Sequence, residues 1–139
     1  MKFFQILFFM LLVGGLKTLH AQDLSGKYDC IGQDLHEGEF NGMVTIQIQP
    51  DFSNEQYQSY SFELSVPDFG VYLGFMAAEG TNAGIYFALE DESTQDYGVA
   101  TAKFFVNDTG ELAFKKFYYE PNYKGGNTGI EECVRVKKI

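Results

Sequence analysis

The residues of this chain that could carry out chemistry are few and widely spaced. It holds two histidines, His20 and His36, and two cysteines, Cys30 and Cys133. A serine or cysteine nucleophile needs a neighbouring base, and the sequence offers no G-x-S-x-G turn and no phosphate-cradling glycine loop. Paired carboxylates could serve a glycosidase, but among 19 acidic residues such pairs arise by chance. We therefore predict no catalytic residues, no cofactor and no enzyme activity.

One acidic stretch with a histidine, residues 34–39, is the sharpest local cluster that could bind a metal ion. Asp34, His36 and Glu39 could reach a divalent cation together, with imidazole for Zn²⁺ or oxygens for Ca²⁺. The acidic stretch 90–92 with Asp96 poses the same question without the spacing of an EF-hand. A metal site needs converging geometry, so both stretches are predicted to be solvated loops, and no metal is expected.

The first 21 residues have the order of a secretory signal peptide. Lys2 gives a positive start, residues 3–16 are almost wholly apolar, and Ala21 supplies the small residue at which such peptides are cut. The apolar run falls short of the roughly 20 residues that span a bilayer. We predict cleavage after Ala21, a single domain over residues 22–139, and export to the periplasm or the extracellular space.

The two cysteines fit that destination. Both lie in the exported part, where an oxidising compartment favours a disulfide. Neither has the C-x-x-C spacing or the further ligands that zinc usually takes. A Cys30–Cys133 bridge is therefore expected, joining residues near the two ends of the domain.

Net charge narrows the range of partners. Without Lys2 and Lys17 the domain keeps 8 basic residues against 19 acidic ones, a net charge of −11. A surface of that sign repels nucleic-acid phosphates and anionic lipid headgroups. Neither nucleic acid nor, after signal cleavage, a membrane is therefore expected as a partner. The acidity can serve solubility alone, or it can attract a basic protein.

Beyond residue 21 the sequence alternates apolar and polar residues between turn signals, which is the pattern of half-buried strands. In residues 57–66, for example, Tyr60, Phe62 and Leu64 share one face. The pattern predicts eight strands, at residues 26–31, 43–49, 57–66, 71–77, 85–89, 97–106, 111–118 and 129–136. Such all-β sequences build a closed antiparallel barrel or a β-sandwich. An eight-stranded up-and-down barrel is favoured, because it sets the first strand beside the last and so Cys30 beside Cys133.

Two features at the ends of the domain resemble the lipocalins. Gly26 and Tyr28 open the first strand, and Arg135, the only arginine, falls in the last strand. Lipocalins begin with G-x-W, with tryptophan where this chain has Tyr28, and an arginine of their last strand packs across that ring. The wider pattern of residues 26–131 resembles small exported bacterial proteins of unknown function with a calycin-like barrel. The resemblance implies a barrel closed near Tyr28 and Arg135 and in some cases a ligand, but no reaction.

Aromatic residues are the other abundant resource, because ten phenylalanines and nine tyrosines remain after the signal peptide. An eight-stranded barrel is just wide enough to be packed solid or to hold one small ligand, and both outcomes stay open. If it holds a ligand, inward parity points to four lining residues, Tyr60, Phe62, Tyr86 and Phe104. Consecutive residues cannot all face inward, so a second group is expected to supply exposed rings at one rim: Phe117, Tyr118, Tyr119 and Tyr123.

These features lead to two functional hypotheses. The first is an exported binding protein that holds a small apolar ligand in or at the mouth of the barrel. The second is an acidic module that binds a basic protein, for instance an inhibitor of an enzyme such as lysozyme, by analogy of architecture and charge. A hollow interior favours the first hypothesis, and a solid barrel with an acidic aromatic rim favours the second.

Overall fold

A computed structural model describes residues 22–139 of the chain. The predicted signal peptide, residues 1–21, lies outside the described residues. Within residues 22–139, none of the helices reaches the length and hydropathy that crossing a lipid bilayer requires.

Eight strands follow one another along the chain. Their bounds are β1 (Gly26–Asp34), β2 (Gly38–Ile48), β3 (Tyr57–Val66), β4 (Gly70–Glu79), β5 (Asn82–Leu89), β6 (Tyr97–Val106), β7 (Leu112–Glu120) and β8 (Asn127–Lys137). Short 3₁₀ turns at Pro50–Phe52, Glu92–Thr94 and Tyr123–Gly125 interrupt the connections. All eight predicted strands are confirmed, and β2 differs most, since it begins at Gly38 instead of residue 43.

The strands form one closed antiparallel barrel. Each strand pairs with the next, and β8 pairs with β1 to complete the ring. The predicted up-and-down barrel is therefore confirmed, and the β-sandwich alternative is excluded. Because side chains alternate along a strand, every second residue points into the barrel, as the alternating burial of β1 and β7 illustrates.

The two ends of the barrel differ. We call one end the mouth; it carries the connections 35–37, 67–69, 90–96 and 121–126. We call the other end the base; it carries the connections 49–56, 80–81 and 107–111 and the segment 22–25. Large inward side chains fill the base half, among them Tyr28, Tyr60, Phe104 and Phe114, each at most 1% exposed. The hydrophobic core thus lies toward the base.

The segment that precedes β1 closes the base. Leu24 is fully buried, its backbone N–H donates to the Tyr60 hydroxyl at 3.2 Å, and its carbonyl accepts from the Tyr28 hydroxyl at 2.6 Å. The Ser25 hydroxyl oxygen accepts the backbone N–H of Ile48 at 2.9 Å. These hydrogen bonds satisfy polar groups that would otherwise be buried without partners, so an apolar side chain can seal this end.

The seam between β1 and β8 joins the first strand to the last. Cys30 and Cys133 are register partners and are bonded to each other, which confirms the predicted disulfide. Tyr28 and Arg135 are also register partners, each two residues from one of the bonded cysteines. Gly26 lets the seam close tightly, because a Cβ at this position would lie 2.5 Å from the Arg135 Cδ atom.

The seam disulfide should make a large contribution to stability. It spans 103 residues of sequence, and bonds that close long loops restrict the unfolded chain most. We expect the double variant Cys30→Ala/Cys133→Ala to lose about 2–5 kcal/mol of unfolding free energy, measured by urea denaturation.

Reduction provides the control for this prediction. A thiol reductant should lower the midpoint of the wild-type protein toward that of the variant and leave the variant unchanged. Equal midpoints for oxidised wild type and double variant would show that the bond adds nothing to the barrel.

Candidate ligand-binding site

The mouth half of the barrel is not filled by side chains. It contains a cavity of about 70 Å³, open toward the connections at the mouth, which we call the mouth cavity. That volume equals the liquid volume of about two water molecules. Because the cavity is open, a molecule with one ring can occupy it with part of its body in the opening. Its apolar wall comprises Phe40, Leu64, Val66, Phe69 and Phe87. The barrel interior is therefore packed with side chains in its base half and hollow in its mouth half.

The residues predicted to line a ligand lie elsewhere. Tyr60, Phe62 and Phe104 do point inward, but they are at most 2% exposed and belong to the packed core. The inward placement of Tyr86 was wrong, since this ring lies on the outer wall and is 38% exposed. Strand β5 carries apolar residues on both faces, and its aliphatic and phenyl side chains take the inside. Tyr86 instead packs against Phe75, with ring centroids 5.3 Å apart.

The four predicted rim rings separate into two pairs. Tyr118 and Tyr123 line the mouth cavity. Phe117 and Tyr119 are exposed, as expected for some of these rings, but they lie on the outer wall of β7 and not around the opening. The physical reason is that β7 continues to Glu120, and its regular alternation sends every second ring outward.

The predicted metal candidates do not converge. Asp34 is committed to turn formation, because its Oδ1 accepts the backbone N–H groups of His36 and Glu37, both at 2.9 Å. His36 Nε2 lies 2.9 Å from the Gly126 carbonyl oxygen. Glu39 is exposed and accepts a hydrogen bond from Gln33, away from the cavity.

Within residues 22–139, one group of metal-ligand side chains does come together, Cys30, Glu131 and Cys133. Its two sulfurs are bonded to each other, which removes the thiolates that a metal would take. The three residues therefore belong to the seam.

A buried ion pair forms the floor of the mouth cavity. Lys116 and Glu131 are register partners on β7 and β8, with Nζ and Oε1 2.8 Å apart and both side chains 1% exposed. The ammonium also lies over the rings of Phe62, Phe87 and Tyr118, 5.1, 5.5 and 5.6 Å from their centroids. Rings attract a cation through their negative faces, so they help compensate the lost hydration of Lys116.

Beside the cavity lies a pair of buried carboxyl groups. Asp96 and Glu120 are 4% and 5% exposed. Burial, together with a hydrogen bond to Asp96 and repulsion from its charge, raises the pKa of Glu120 to about 9. Glu120 therefore keeps its proton at neutral pH and can donate it to Asp96, whose Oδ1 receives no other hydrogen bond from the described residues. The two carboxyl groups together carry one negative charge.

Three tyrosine hydroxyls of the mouth cavity each donate to a carboxylate. The pairs are Tyr72 to Asp96 at 2.8 Å, Tyr118 to Asp34 at 2.6 Å and Tyr123 to Glu37 at 2.8 Å. Burial, and then the carboxylate that accepts the proton, raises the pKa of each phenol. Although burial acts in the opposite direction, hydrogen bonds from Tyr118, Asn127 and the backbone lower the pKa of Asp34. Asp34 therefore stays ionised.

Glycines on the seam strands make room for these rings. A Cβ at Gly129 would lie 2.1 Å from the Tyr118 hydroxyl oxygen, and a Cβ at Gly32 would lie 2.2 Å from Phe40 Cζ. Real side chains do not approach this closely, so only glycine at positions 129 and 32 leaves room for the rings of Tyr118 and Phe40. The shape of the cavity therefore depends on missing side chains as well as on present ones.

Sequence reasoning missed the polar floor. Lys116 alternates with Phe114 and Tyr118, and Glu131 lies two residues before Cys133, so inward parity could have identified both. The prediction that Asp96 lies in a solvated loop was wrong, since it is 4% exposed. No local signal distinguishes it from the exposed acidic stretch that it follows.

Comparison of the chain with protein-family models, with curated proteins and with solved structures finds no match. The resemblance to calycin-like proteins therefore stays a prediction, and the interpretation of the site depends on its geometry.

The buried pair can be tested by removing one charge. We expect Lys116→Met to lower the unfolding free energy by about 3–5 kcal/mol, because Glu131 is left buried and uncompensated. Adding Glu131→Leu should recover most of the lost stability. Urea denaturation gives the free energy of unfolding of the wild type, the single variant and the double variant.

Lys115→Met is the matched control. Its partner Glu132 lies 3.2 Å away, but both side chains are more than 60% exposed, and exposed pairs contribute about 1 kcal/mol or less. Similar losses for the two lysine variants would refute a special role for the buried pair.

Because folded Glu120 keeps its proton at neutral pH, the free energy of unfolding should depend on pH. Unfolded glutamate ionises near 4.5, whereas folded Glu120 ionises near 9. Between about pH 5 and about pH 9 the unfolded state holds fewer protons, so unfolding becomes easier as pH rises, by at most about 1.4 kcal/mol per pH unit.

The variant Glu120→Gln should remove this decline, while the exposed control Glu63→Gln should retain it. Melting temperatures across the pH range measure the effect. A decline of equal slope in Glu120→Gln would assign it to another group.

Proposed function

We propose that this chain is an exported, non-enzymatic binding protein that holds one small ligand with an apolar body in the mouth cavity. The observation that carries the proposal is the division of the interior. Side chains fill the base half, whereas the mouth half is left open. A closed barrel gives such a cavity a fixed shape, which limits the energy lost to reorganisation on binding.

The wall of the cavity supports an apolar ligand. Leu64 and Phe87 are almost fully buried, Phe40 and Val66 pack against the core, and Phe69 stands half-exposed at the opening. Each Å² of apolar ligand surface removed from water contributes about 25 cal/mol. A mostly apolar concavity with a few polar groups at fixed positions is typical of small-molecule sites.

The polar groups of the cavity favour binding over turnover. A nucleophile needs a base that is free to take its proton. In the described part of the chain, the three cavity hydroxyls already donate to carboxylates, and the Lys116 ammonium is paired with Glu131. These groups hold one another in place, which suits recognition.

Export is supported by two features. The leader pattern of residues 1–21 predicts secretion. The Cys30–Cys133 bond is compatible with the oxidising compartments to which secretion leads.

A second candidate function is the binding of a basic protein at the outer wall of the barrel. Four exposed side chains stand side by side across β4 to β7, in the order Phe75, Tyr86, Val99 and Tyr119. Contiguous exposed apolar side chains mark contact surfaces, and the acidic domain would attract a basic protein. Salt separates the candidates, because steering between charged proteins is screened within about 10 Å at 0.1 M, whereas an apolar ligand in a cavity is little affected.

Toluene, an apolar molecule with one ring, provides the test. We expect saturable binding to the wild-type protein, measured by isothermal titration. Val66→Trp places a large ring in the mouth cavity and should weaken the affinity at least about tenfold.

Val106→Trp makes the same substitution at an exposed site far from the mouth and should leave the affinity unchanged. Equal weakening in both variants, or no saturable binding to the wild type, would contradict the proposal.

A further inference from the structure

The mouth cavity offers a ligand more acceptors than donors. Its three tyrosines have each given their only hydroxyl proton to a carboxylate. A ligand that reaches these hydroxyl oxygens can therefore only donate to them. The tyrosines thus present lone pairs toward the cavity.

A buried acceptor without a partner reinforces this imbalance. Asn127 lines the cavity and is 2% exposed; its Nδ2 donates to Asp34 at 2.8 Å, but its Oδ1 receives no hydrogen bond from the described residues. Leaving a buried acceptor unsatisfied is costly, so a ligand N–H group here would remove a penalty.

The charges around the cavity select the sign of the ligand. Asp34 is ionised and the Asp96–Glu120 pair holds one negative charge. The Lys116–Glu131 pair in the floor and the Lys124–Glu37 pair at the opening are each neutral as a whole. The interior therefore carries two negative charges within a domain of net charge −11. An anion would have to displace Glu131 from the ammonium, whereas a cation meets charge of opposite sign.

Aromatic rings surround the same opening. Phe69 stacks on Tyr72 with ring centroids 6.2 Å apart, and Tyr123 meets Phe69 edge-on at 6.3 Å. Rings in this arrangement bind organic cations through their faces. They also exclude water, which strengthens the attraction between a bound cation and the carboxylates.

We propose that the ligand of the mouth cavity is an organic amine, with one protonated N–H-bearing nitrogen on an apolar body about the size of a single ring. This inference rests on the proposed binding function and specifies its ligand class. The nitrogen bonds to the acceptors of Asn127 and the tyrosines, and the body lies against the apolar wall. Because those acceptors need N–H donors, a protonated primary amine binds more tightly than its trimethylammonium counterpart.

Matched probes with one phenyl ring test the inference. Phenethylamine, its N,N,N-trimethyl derivative, phenethyl alcohol and phenylacetate share an apolar body and differ in their polar end. Isothermal titration of the full exported domain at neutral pH measures each affinity. We expect phenethylamine to bind at least about tenfold more tightly than the alcohol, and phenylacetate to bind most weakly.

A variant pair locates the charge that selects the amine. Asp34→Asn removes one negative charge from the cavity, and it also disturbs Tyr118 and Asn127, which both donate to Asp34 Oδ2. We therefore expect it to weaken phenethylamine about tenfold more than it weakens phenethyl alcohol. Asp29→Asn makes the same change on the exposed outer face of β1 and should alter neither affinity. Retained alcohol binding also shows that the Asp34→Asn variant is folded; if it does not fold, the ranking of probes on the wild type decides.

The possible outcomes distinguish a failure of the amine preference from a failure of the proposed ligand-binding function. Equal binding of amine and alcohol, both lost in Val66→Trp, would overturn the amine preference and leave the binding function standing. Tightest binding of phenylacetate would do the same. Binding of toluene but of none of the four phenyl probes with a polar end would overturn the proposed ligand class. Absence of binding by every probe, toluene included, would overturn both.

Discussion

The pairing of β1 with β8 is the constraint on which the rest of the structure depends. It gives every strand of the described barrel two neighbours, so no strand presents an unpaired edge. It also fixes which residues of these two strands face inward, because Cys30 and Cys133 meet inside the barrel. Alternation then carries Glu131 and Asn127 inside with Cys133. The polar floor of the mouth cavity therefore follows from the same ladder that closes the barrel.

Most of the fold could be predicted because its information is local. Hairpin strands pair with their sequence neighbours, so alternation and turn residues were enough for the strand order. The start of β2 was missed because Gly38 and Gly42 look like turn residues in sequence, although in the barrel they face inward opposite β1. Tyr86 was misplaced because β5 is apolar on both faces, and only packing against Phe75 and the core decides which face turns inward.

The candidate site was harder to predict, because its polar residues are stable only as partners. A lone lysine or glutamate in a strand is normally solvated, since burying one charge costs several kcal/mol. Lys116 and Glu131 become tolerable inside the barrel through the register between two strands, which neither segment encodes by itself. Asp96 depends likewise on the proton of Glu120. The sequence shows that the domain is acidic, but it does not show which acidic residues are buried as partners inside the barrel.

Closure of the base by Leu24 makes the barrel a vessel with one opening. Entry and exit of the ligand proposed above would then follow the same path, past Phe69 and Tyr123. Movement of these rings sets a common barrier for both directions, so it changes the association and dissociation rates by the same factor and leaves the equilibrium constant unaltered. The barrier at the rim thus sets how fast a ligand exchanges, whereas the free-energy difference between the bound and free states sets the affinity.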